Sequence, residues 1–311
     1  MNINKFKAYV AAFLYALIVG FAFLSVKISL RYSSPLDALA HRFTLSFLGA
    51  FLLLITGVFP KLELSKKDII KILPLGIFYP ALSFGFQVFG LNFMASSEAA
   101  IIQATTPIFT MILAGIFLSE HTNLKQKASV LISVAGVIYI FSMKGSSLGV
   151  SDMKGIFWKI LSCIAFGGYS VMARPLTKKY KATSLTFVTL VVGAIFFNVL
   201  ALSNHIVQGN MSEFLTPLKS NGFLIATFYL GTISTLGTSL LSNYALTHLE
   251  ASKVSVFNNL STLFSILAGI VFLKEKIYYF HIIGAIMILF GVLGTSFFGK
   301  TKKIKENSEF A

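Results

Sequence analysis

Polar side chains stand near the middle of two long apolar stretches of this sequence. The first stretch carries Gln103, Thr106 and Pro107, and the second carries Asn258 and Asn259. Amide and hydroxyl groups at the centre of a membrane helix can bind a polar solute that must be reached from both sides. They can also hydrogen-bond neighbouring helices at little cost. We therefore predict Gln103, Thr106, Asn258 and Asn259 as solute-binding candidates, with helix packing as the alternative.

A second set of candidates interrupts another apolar stretch. Tyr79 and Pro80 are followed by Gly85 and Gln87. Interrupted helices point to transport sites, although Gly and Pro are also common in membrane helices. Pro107 acts similarly, because it has no N–H and leaves the carbonyl one turn earlier available to a ligand, a water or a side chain. Tyr79 and Gln87 complete the predicted set of substrate contacts.

Two charged residues inside apolar stretches are candidates for ion or proton coupling. Glu98 stands near the start of one stretch, where a carboxylate can also simply complement the helix dipole. Arg42 lies inside another, and its buried guanidinium needs a partner or a path to water. We expect Arg42 to reach Glu98 or Asp37. Glu120 and Glu275, which follow two matching helices, are interpreted as structural hinges.

Signals for enzyme chemistry are scarce. The chain has 11 acidic residues and 5 histidines, without metal-ligand spacing or a phosphate-binding glycine loop. Its single cysteine, Cys163, forms no intramolecular disulfide. We therefore expect no metal, no cofactor and no enzyme activity. A non-transporting membrane enzyme or assembly protein is kept as a remote alternative.

The elements that must position these residues are membrane helices. Of 311 residues, 56% are apolar and 12% are charged, and this charged share is about half that of an ordinary soluble domain. The net charge of +15 comes from residues in short loops, which we interpret as topology markers and not as a nucleic-acid surface. Each span needs about 20 apolar residues. Ten such runs cover roughly residues 8–29, 35–58, 69–92, 96–118, 127–143, 155–173, 183–203, 221–243, 252–273 and 278–298.

The distribution of Lys and Arg predicts the orientation. With a cytoplasmic N-terminus, 17 of them fall in inner segments and 8 in outer segments, and Lys159 is counted among the outer ones. The positive-inside rule then places both termini in the cytoplasm, including a basic tail at residues 300–311. The first run is longer than the apolar part of a signal peptide, so we expect it to be an uncleaved span.

The sequence also repeats itself. Ile112–Ile116 recurs as Ile266–Ile270, and each block soon reaches a Leu-x-Glu triplet. Five spans per half is an odd number, so the second half enters the membrane from the opposite side. This predicts an all-α integral membrane fold with ten transmembrane helices in two inverted repeats of five, at residues 1–147 and 148–299.

With these features the chain resembles the EamA family of the drug/metabolite transporter superfamily. The resemblance rests on three stretches of the sequence: Gly20, Phe21, Lys27, Pro35 and Arg42; Ala95–Glu120; and Ala251–Glu275 followed by Gly284 and Gly291. It implies a central cavity lined mainly by spans 1, 3, 4, 6, 8 and 9. Family members move amino acids, other small metabolites or toxic organic compounds, often outward.

These observations together predict a transporter of the cell membrane. We expect alternating access, export of small metabolites, and neutral or zwitterionic solutes, since acidic residues near the membrane centre are few. The alternative is an uptake permease coupled to protons through Glu98 or another acidic residue. Besides the solute and the lipid bilayer we expect no other partner, and the chain is predicted to be a monomer or a homodimer.

Overall fold

Every regular element in the described part of the chain is helical. The computed structural model describes residues 3–60, 62–117, 123–144, 149–238, 241, 244–245 and 251–298, with backbone alone for residues 3–5, 144, 151, 174, 178, 251–259 and 295–296. The α-helices are α1 Ile3–Ser29, α2 Pro35–Ile55, α3 Lys66–Gly76, α4 Ser83–Phe93, α5 Ser96–Gln103, α6 Thr106–Phe117, α7 Leu124–Lys144, α8 Val150–Lys179, α9 Ala182–Gln208, α10 Met211–Leu215, α11 Asn221–Phe228, α12 Ala251–Leu273 and α13 Tyr279–Phe297. Wider π-helical turns follow α3 at Ile77–Leu82 and α11 at Tyr229–Gly237, and a short 3-10 helix, Thr216–Lys219, follows α10.

Within the described residues, seven helical stretches are long and apolar enough to cross a bilayer. They are Phe6–Ser29, Pro35–Ile55, Lys66–Phe93, Ser96–Phe117, Leu124–Met143, Asp152–Thr177 and Ala182–Gln208. The other three apolar runs also coincide with helices, at α11 and its π-helical turn, α12 and α13. The protein is therefore an all-α, multi-pass integral membrane protein.

The helices pack in a recurring set of pairs. The helix α1 packs on α12, α8 packs on α4, α5 and α6, α2 packs on α9, and α7 packs on α13. Glycines allow two of these approaches. A Cβ atom on Gly20 would lie 2.5 Å from Phe264 Cβ, and one on Gly167 would lie 3.0 Å from the Thr110 backbone nitrogen. The backbone of α1 therefore lies very close to α12, and the backbone of α8 lies very close to that of α6.

The outward faces of the bundle are apolar. Leu131 and Ile138 on α7 and Phe290 on α13 are exposed, whereas a continuous cluster that includes Phe43, Phe197 and Leu91 fills the interior. Such a surface is unfavourable in water and suits a lipid surrounding, where helices satisfy their own backbone hydrogen bonds.

Polar contacts between helices mark the two ends of the bundle. At one end, the Glu275 carboxylate accepts a hydrogen bond from the backbone N–H of Ser96 at 2.7 Å. At the other end, the Tyr180 hydroxyl donates to Asp68 Oδ1 at 2.6 Å. We call these the Glu275 end and the Asp68 end. The stretch Lys66–Phe93 runs from the Asp68 end to the Glu275 end.

Candidate solute-binding site

The break between α5 and α6 positions the Gln103 side chain. Because Pro107 has no N–H to donate to the Gln103 carbonyl, the Thr106 hydroxyl donates to it instead, at 2.7 Å. The Gln103 amide nitrogen donates back to that hydroxyl at 3.0 Å. These two bonds fix the side-chain amide and direct its oxygen towards α8.

The residue that meets this oxygen is Lys159 on α8. Its side chain has 0% exposed surface, and its ammonium donates to Gln87 Oε1 at 2.9 Å and to Gln103 Oε1. The same ammonium lies 4.9 Å from the centre of the Phe23 ring. We call Lys159, Gln87, Gln103 and Thr106 the Lys159 cluster. It joins α4, α5 and α6 to α8.

Sequence reasoning missed the role of Lys159. The count of basic residues placed it in an outer loop, and the structure corrects this, because it is the tenth residue of α8 and fully buried. At 1.5 Å per residue it lies about 14 Å from the start of that helix. The signal was present in the sequence, since the predicted apolar run at residues 155–173 already contained this lysine.

Close packing of α4 on α8 brings the lysine to Gln87. A Cβ atom on Gly90 would lie 3.1 Å from the Gly155 carbonyl oxygen and 3.2 Å from the Lys159 backbone nitrogen. Only a residue without a side chain lets the two backbones approach so closely. Gln87 lies about one turn before Gly90 on α4. The close approach at Gly90 thus places Lys159 of α8 beside Gln87.

Tyr79 lies at the other interruption, between α3 and α4. Its backbone is extended, with φ −146° and ψ 114°, as expected for a residue that precedes a proline, here Pro80. Its ring packs against the rings of Phe84, Phe166 and Tyr169, with centres 5.0, 5.4 and 4.7 Å away. Tyr79 therefore belongs to an aromatic group and is not hydrogen-bonded to the Lys159 cluster.

Arg42 joins this aromatic group and not the acids expected for it. Its guanidinium carbon lies 4.2 Å from the centre of the Phe84 ring, and its Nη2 lies 3.5 Å from the Thr235 hydroxyl. The side chain is 3% exposed, and Nε and Nη1 have no hydrogen-bond partner. Asp37 contacts His205 Nε2 at 2.9 Å instead. The expected contact of Arg42 with Asp37 or Glu98 was wrong, because the arginine side chain lies against aromatic rings at the centre of the bundle.

Two glutamates, the buried Glu98 and the half-buried Glu275, lie near the Glu275 end. Glu98 is buried on α5, and its Oε1 lies 3.4 Å from His281 Nε2 on α13. Glu275 accepts hydrogen bonds from the backbone N–H groups of Ser96 and Ser97, at 2.7 and 3.0 Å, and from both serine hydroxyls. A carboxylate from the end of α12 thus caps the positive N-terminus of α5.

The backbone after α12 explains how Glu275 reaches that position. Lys274 adopts the left-handed conformation, with φ +54°, which commonly ends a helix. The Glu275 N–H then donates back to the Gly269 carbonyl at 3.1 Å. The chain reverses in this turn and directs the carboxylate at α5.

The structure brings together three of the predicted contacts, Gln87, Gln103 and Thr106, around Lys159. Tyr79 and Arg42 meet separately through Phe84. Asn258 and Asn259 lie on α12, and their side chains fall outside the described part of the structure.

Comparison with known proteins decides the family. The sequence model of the EamA-like transporter family matches residues 6–142 and residues 153–297. The chain belongs to the EamA-like transporter family. This confirms the resemblance seen in the sequence and makes the protein a membrane transporter and not an enzyme. We call the two matched ranges the first half and the second half.

Relatives cover nearly the whole chain. The uncharacterized transporter YcxC of Bacillus subtilis is 44% identical over 289 residues, 93% of this chain and 92% of that protein. An uncharacterized transporter of Archaeoglobus fulgidus is 27% identical over 88% of this chain and 92% of its own length. A crystal structure of a protein with 17% sequence identity covers 92% of this chain and 95% of its own, with a TM-score of 0.52, which shows a likeness of fold.

Proposed function

We propose that this EamA-like transporter moves amino-acid-like or other small organic solutes out of the cell by alternating access. The observation that carries the proposal is the Lys159 cluster, in which two amide oxygens from the first half hold a buried ammonium from the second half. Ionisable groups inside membrane helices are costly and mark solute or ion paths. A site shared by both halves changes whenever one half rocks against the other.

Two observations support an arrangement of ten spans as inverted repeats at residues 1–147 and 148–299. The family model matches each half separately. The packing pairs also correspond, because the first helix of the first half, α1, packs on α12, and the first helix of the second half, α8, packs on α5 and α6. Gly20 and Gly167 provide the close approach in the two cases.

The distribution of charge supports a cytoplasmic position for the Asp68 end and for both termini in the cell membrane. Lys179 and Lys181 lie at this end, near Asp68 and Glu63. Single cysteines introduced by Lys66→Cys at the Asp68 end and Ser212→Cys at the Glu275 end, in a Cys163→Ala background, test this. We expect a membrane-impermeant maleimide to label Ser212→Cys in whole cells and Lys66→Cys only in broken cells. The reverse pattern would invert the orientation.

Reconstitution tests transport itself. In liposomes that contain the purified chain, we expect saturable flux of a solute that is accelerated by the same solute on the opposite side. Flux that rises linearly with concentration, without this acceleration, would contradict alternating access. One chain contains the entire Lys159 cluster, so a monomer suffices and a homodimer would contain two such clusters.

A second candidate is proton-coupled uptake, which the Glu98–His281 pair favours. The carboxylate and the imidazole lie 3.4 Å apart and both are buried, and ionisable groups buried among membrane helices mark ion or proton paths. In the coupled case, Glu98→Gln abolishes the dependence of flux on a pH gradient. In the uncoupled case, the wild-type chain shows no such dependence.

A further inference from the structure

A cavity of about 390 Å³ lies at the Glu275 end of the bundle. Its lining includes Lys27, Arg31, Leu91, Asn92 and Glu275. Arg31 and Asn92 are exposed, so the cavity is reached from that end. Pockets that hold small organic ligands have volumes of about 300–1,000 Å³, and this cavity falls within that range.

The charges around this cavity favour an anion. Lys27 and Arg31 contribute two positive charges, and neither lies within 4 Å of a carboxylate among the residues that the structure describes. Among the lining residues the negative charge is that of Glu275, whose carboxylate is already bound to four donors of Ser96 and Ser97. Glu98, the other carboxylate that acts on Lys27, lies outside the lining and beside His281. Because the positive end of α5 compensates the Glu275 carboxylate, the cavity has an excess of positive charge.

The cavity lies close to the Lys159 cluster. Residues four apart on a helix lie on one face, about 6 Å apart along the axis. Lys27 on α1 is four residues after Phe23, whose ring contacts the Lys159 ammonium. Leu91 on α4 is four residues after Gln87, which accepts from that ammonium. The Lys159 ammonium therefore lies about one helical turn inward from the lining of the cavity.

Among the residues that the structure describes, the positive charge of Lys159 has no anionic partner. Its hydrogen-bond acceptors are the neutral amides of Gln87 and Gln103, and no carboxylate of the described residues forms an ion pair with it. A buried charge inside a membrane is costly unless an opposite charge pairs with it. A carboxylate supplied by the solute would provide that pair, whereas a cationic solute would be repelled.

We propose that the transported solute carries a carboxylate, which Lys27 and Arg31 attract at the Glu275 end and which binds Lys159 in place of an amide oxygen. The inference rests on the proposed transport function and names the solute class for its site. Organic acids and zwitterions such as amino acids belong to this class. Amines that lack a carboxylate are excluded.

The test compares acids with their amides on the wild-type chain in nanodiscs of phosphatidylcholine, a lipid without net charge. The probes are alanine, leucine, phenylalanine and pyruvate, each paired with its amide, and the measurement is the rise in melting temperature with concentration. We expect the acid of at least one pair to bind at least tenfold more tightly than its amide, because charged hydrogen bonds exceed neutral ones. Amides that bind as tightly as the acids would overturn the inference.

Variants assign the preference to Lys159. Lys159→Met keeps the length of the side chain and removes its charge, so we expect it to bind acid and amide alike, whereas Lys159→Arg keeps the preference for the acid. The matched control is Lys154→Met, on the same helix but exposed, which should bind as the wild type does. A preference for the acid that persists in Lys159→Met would overturn the inference. The comparison on the wild-type chain needs no variant and holds even if Lys159→Met does not fold.

Three further results distinguish a free acid from a lipid headgroup as the source of the anion, and the carboxylate proposal from the proposal that the chain is a carrier. In one result, phosphatidylglycerol stabilises the wild-type chain, Lys27→Gln loses that stabilisation, and free acids give none. This result would identify a lipid headgroup as the occupant and overturn the inference. Saturable flux of an amide equal to that of its acid would overturn the carboxylate while leaving the carrier proposal intact. Binding of acids without flux of any solute would support the carboxylate and refute the carrier.

Discussion

The fourth apolar run and its counterpart in the second half differ in one feature of the backbone. In the first half the helix is broken into α5 and α6, and in the second half α12 is continuous from Ala251 to Leu273. Aligning Ile112–Ile116 with Ile266–Ile270 places Pro107 opposite Ser261. Serine has the N–H that proline lacks. The break, and with it the fixed Gln103 amide, therefore belongs to one half only.

The buried lysine, Lys159, likewise has no charged counterpart in the other half. The pair Gly20 and Phe21 has a loose counterpart in Gly168 and Tyr169, and aligning the two pairs places Lys159 opposite Ala11. The first helix of the first half therefore carries no charge at that position. The packing pairs recur in both halves, but the ammonium comes from the second half and its two acceptors come from the first. A scaffold of corresponding packing pairs can thus carry a site that is not symmetric.

The largest expected loss of stability comes from introducing a helix break into α12, in the second half. Ser261→Pro removes a backbone donor inside α12 and should lower the free energy of unfolding by about 3 kcal/mol or more. The measurement is an SDS titration of the purified protein, followed by the fluorescence of its one tryptophan, Trp158. Ser261→Ala is the control and should change stability by much less. Equal stability of Ser261→Pro and wild type would show that α12 tolerates the same break as α5 and α6.

The next prediction tests whether the close helix contacts at Gly20 and at Gly167 contribute similarly to the free energy of unfolding. A Cβ atom in Gly20→Ala would meet Phe264, and one in Gly167→Ala would meet the Thr110 backbone. We expect each variant to lose about 1–3 kcal/mol from overpacking, by the same titration. Gly237→Ala has nothing within 4 Å of its Cβ and should retain full stability. A large loss in one half alone would argue against equivalent packing.

A smaller effect on stability, with a larger one on transport, is expected at the polar residues. Gln103→Leu removes one acceptor of the Lys159 ammonium and should cost about 1–2 kcal/mol, the upper range for hydrogen bonds between membrane helices. Solute flux in liposomes should fall about tenfold if a comparable energy is lost in the transport step. Asn259→Leu removes an amide from the corresponding helix of the second half, although the residue aligned with Gln103 is Phe257, and we expect less loss there. Equal losses would indicate that both halves contribute alike to the site.

The smallest effect is expected from restoring the missing donor in the first half. Pro107→Ala lets a backbone N–H replace the Thr106 hydroxyl at the Gln103 carbonyl, so the change in stability should stay below about 1 kcal/mol. Flux should nevertheless decrease, because the Thr106 hydroxyl is then free to turn away from the Gln103 amide. Pro35→Ala, at the start of α2, is the control and should leave flux unchanged. Unaltered flux in Pro107→Ala would show that transport does not require the break between α5 and α6.

Several site residues were predictable because their signal is local. Gln87, Gln103 and Thr106 stand out as polar groups within apolar runs, and Tyr79 and Pro107 mark the two interruptions in the helices. The partner of Arg42 was not predictable. Its nearest acid in sequence, Asp37, contacts His205, which is 168 residues away. Lys159 was visible in its run but was counted with the loop beside it.

The membrane-spanning character, the helix positions and the family follow from local hydropathy and from motifs, because any stretch of about 20 apolar residues must form a helix in lipid whatever surrounds it. The contacts of Lys159 with Gln87 and Gln103 and of Glu275 with Ser96 depend on how distant helices approach one another. Glycines such as Gly90 and the turn at Lys274 set those approaches. Such packing is a property of the assembled bundle, so the tertiary structure alone placed the charge inside the site.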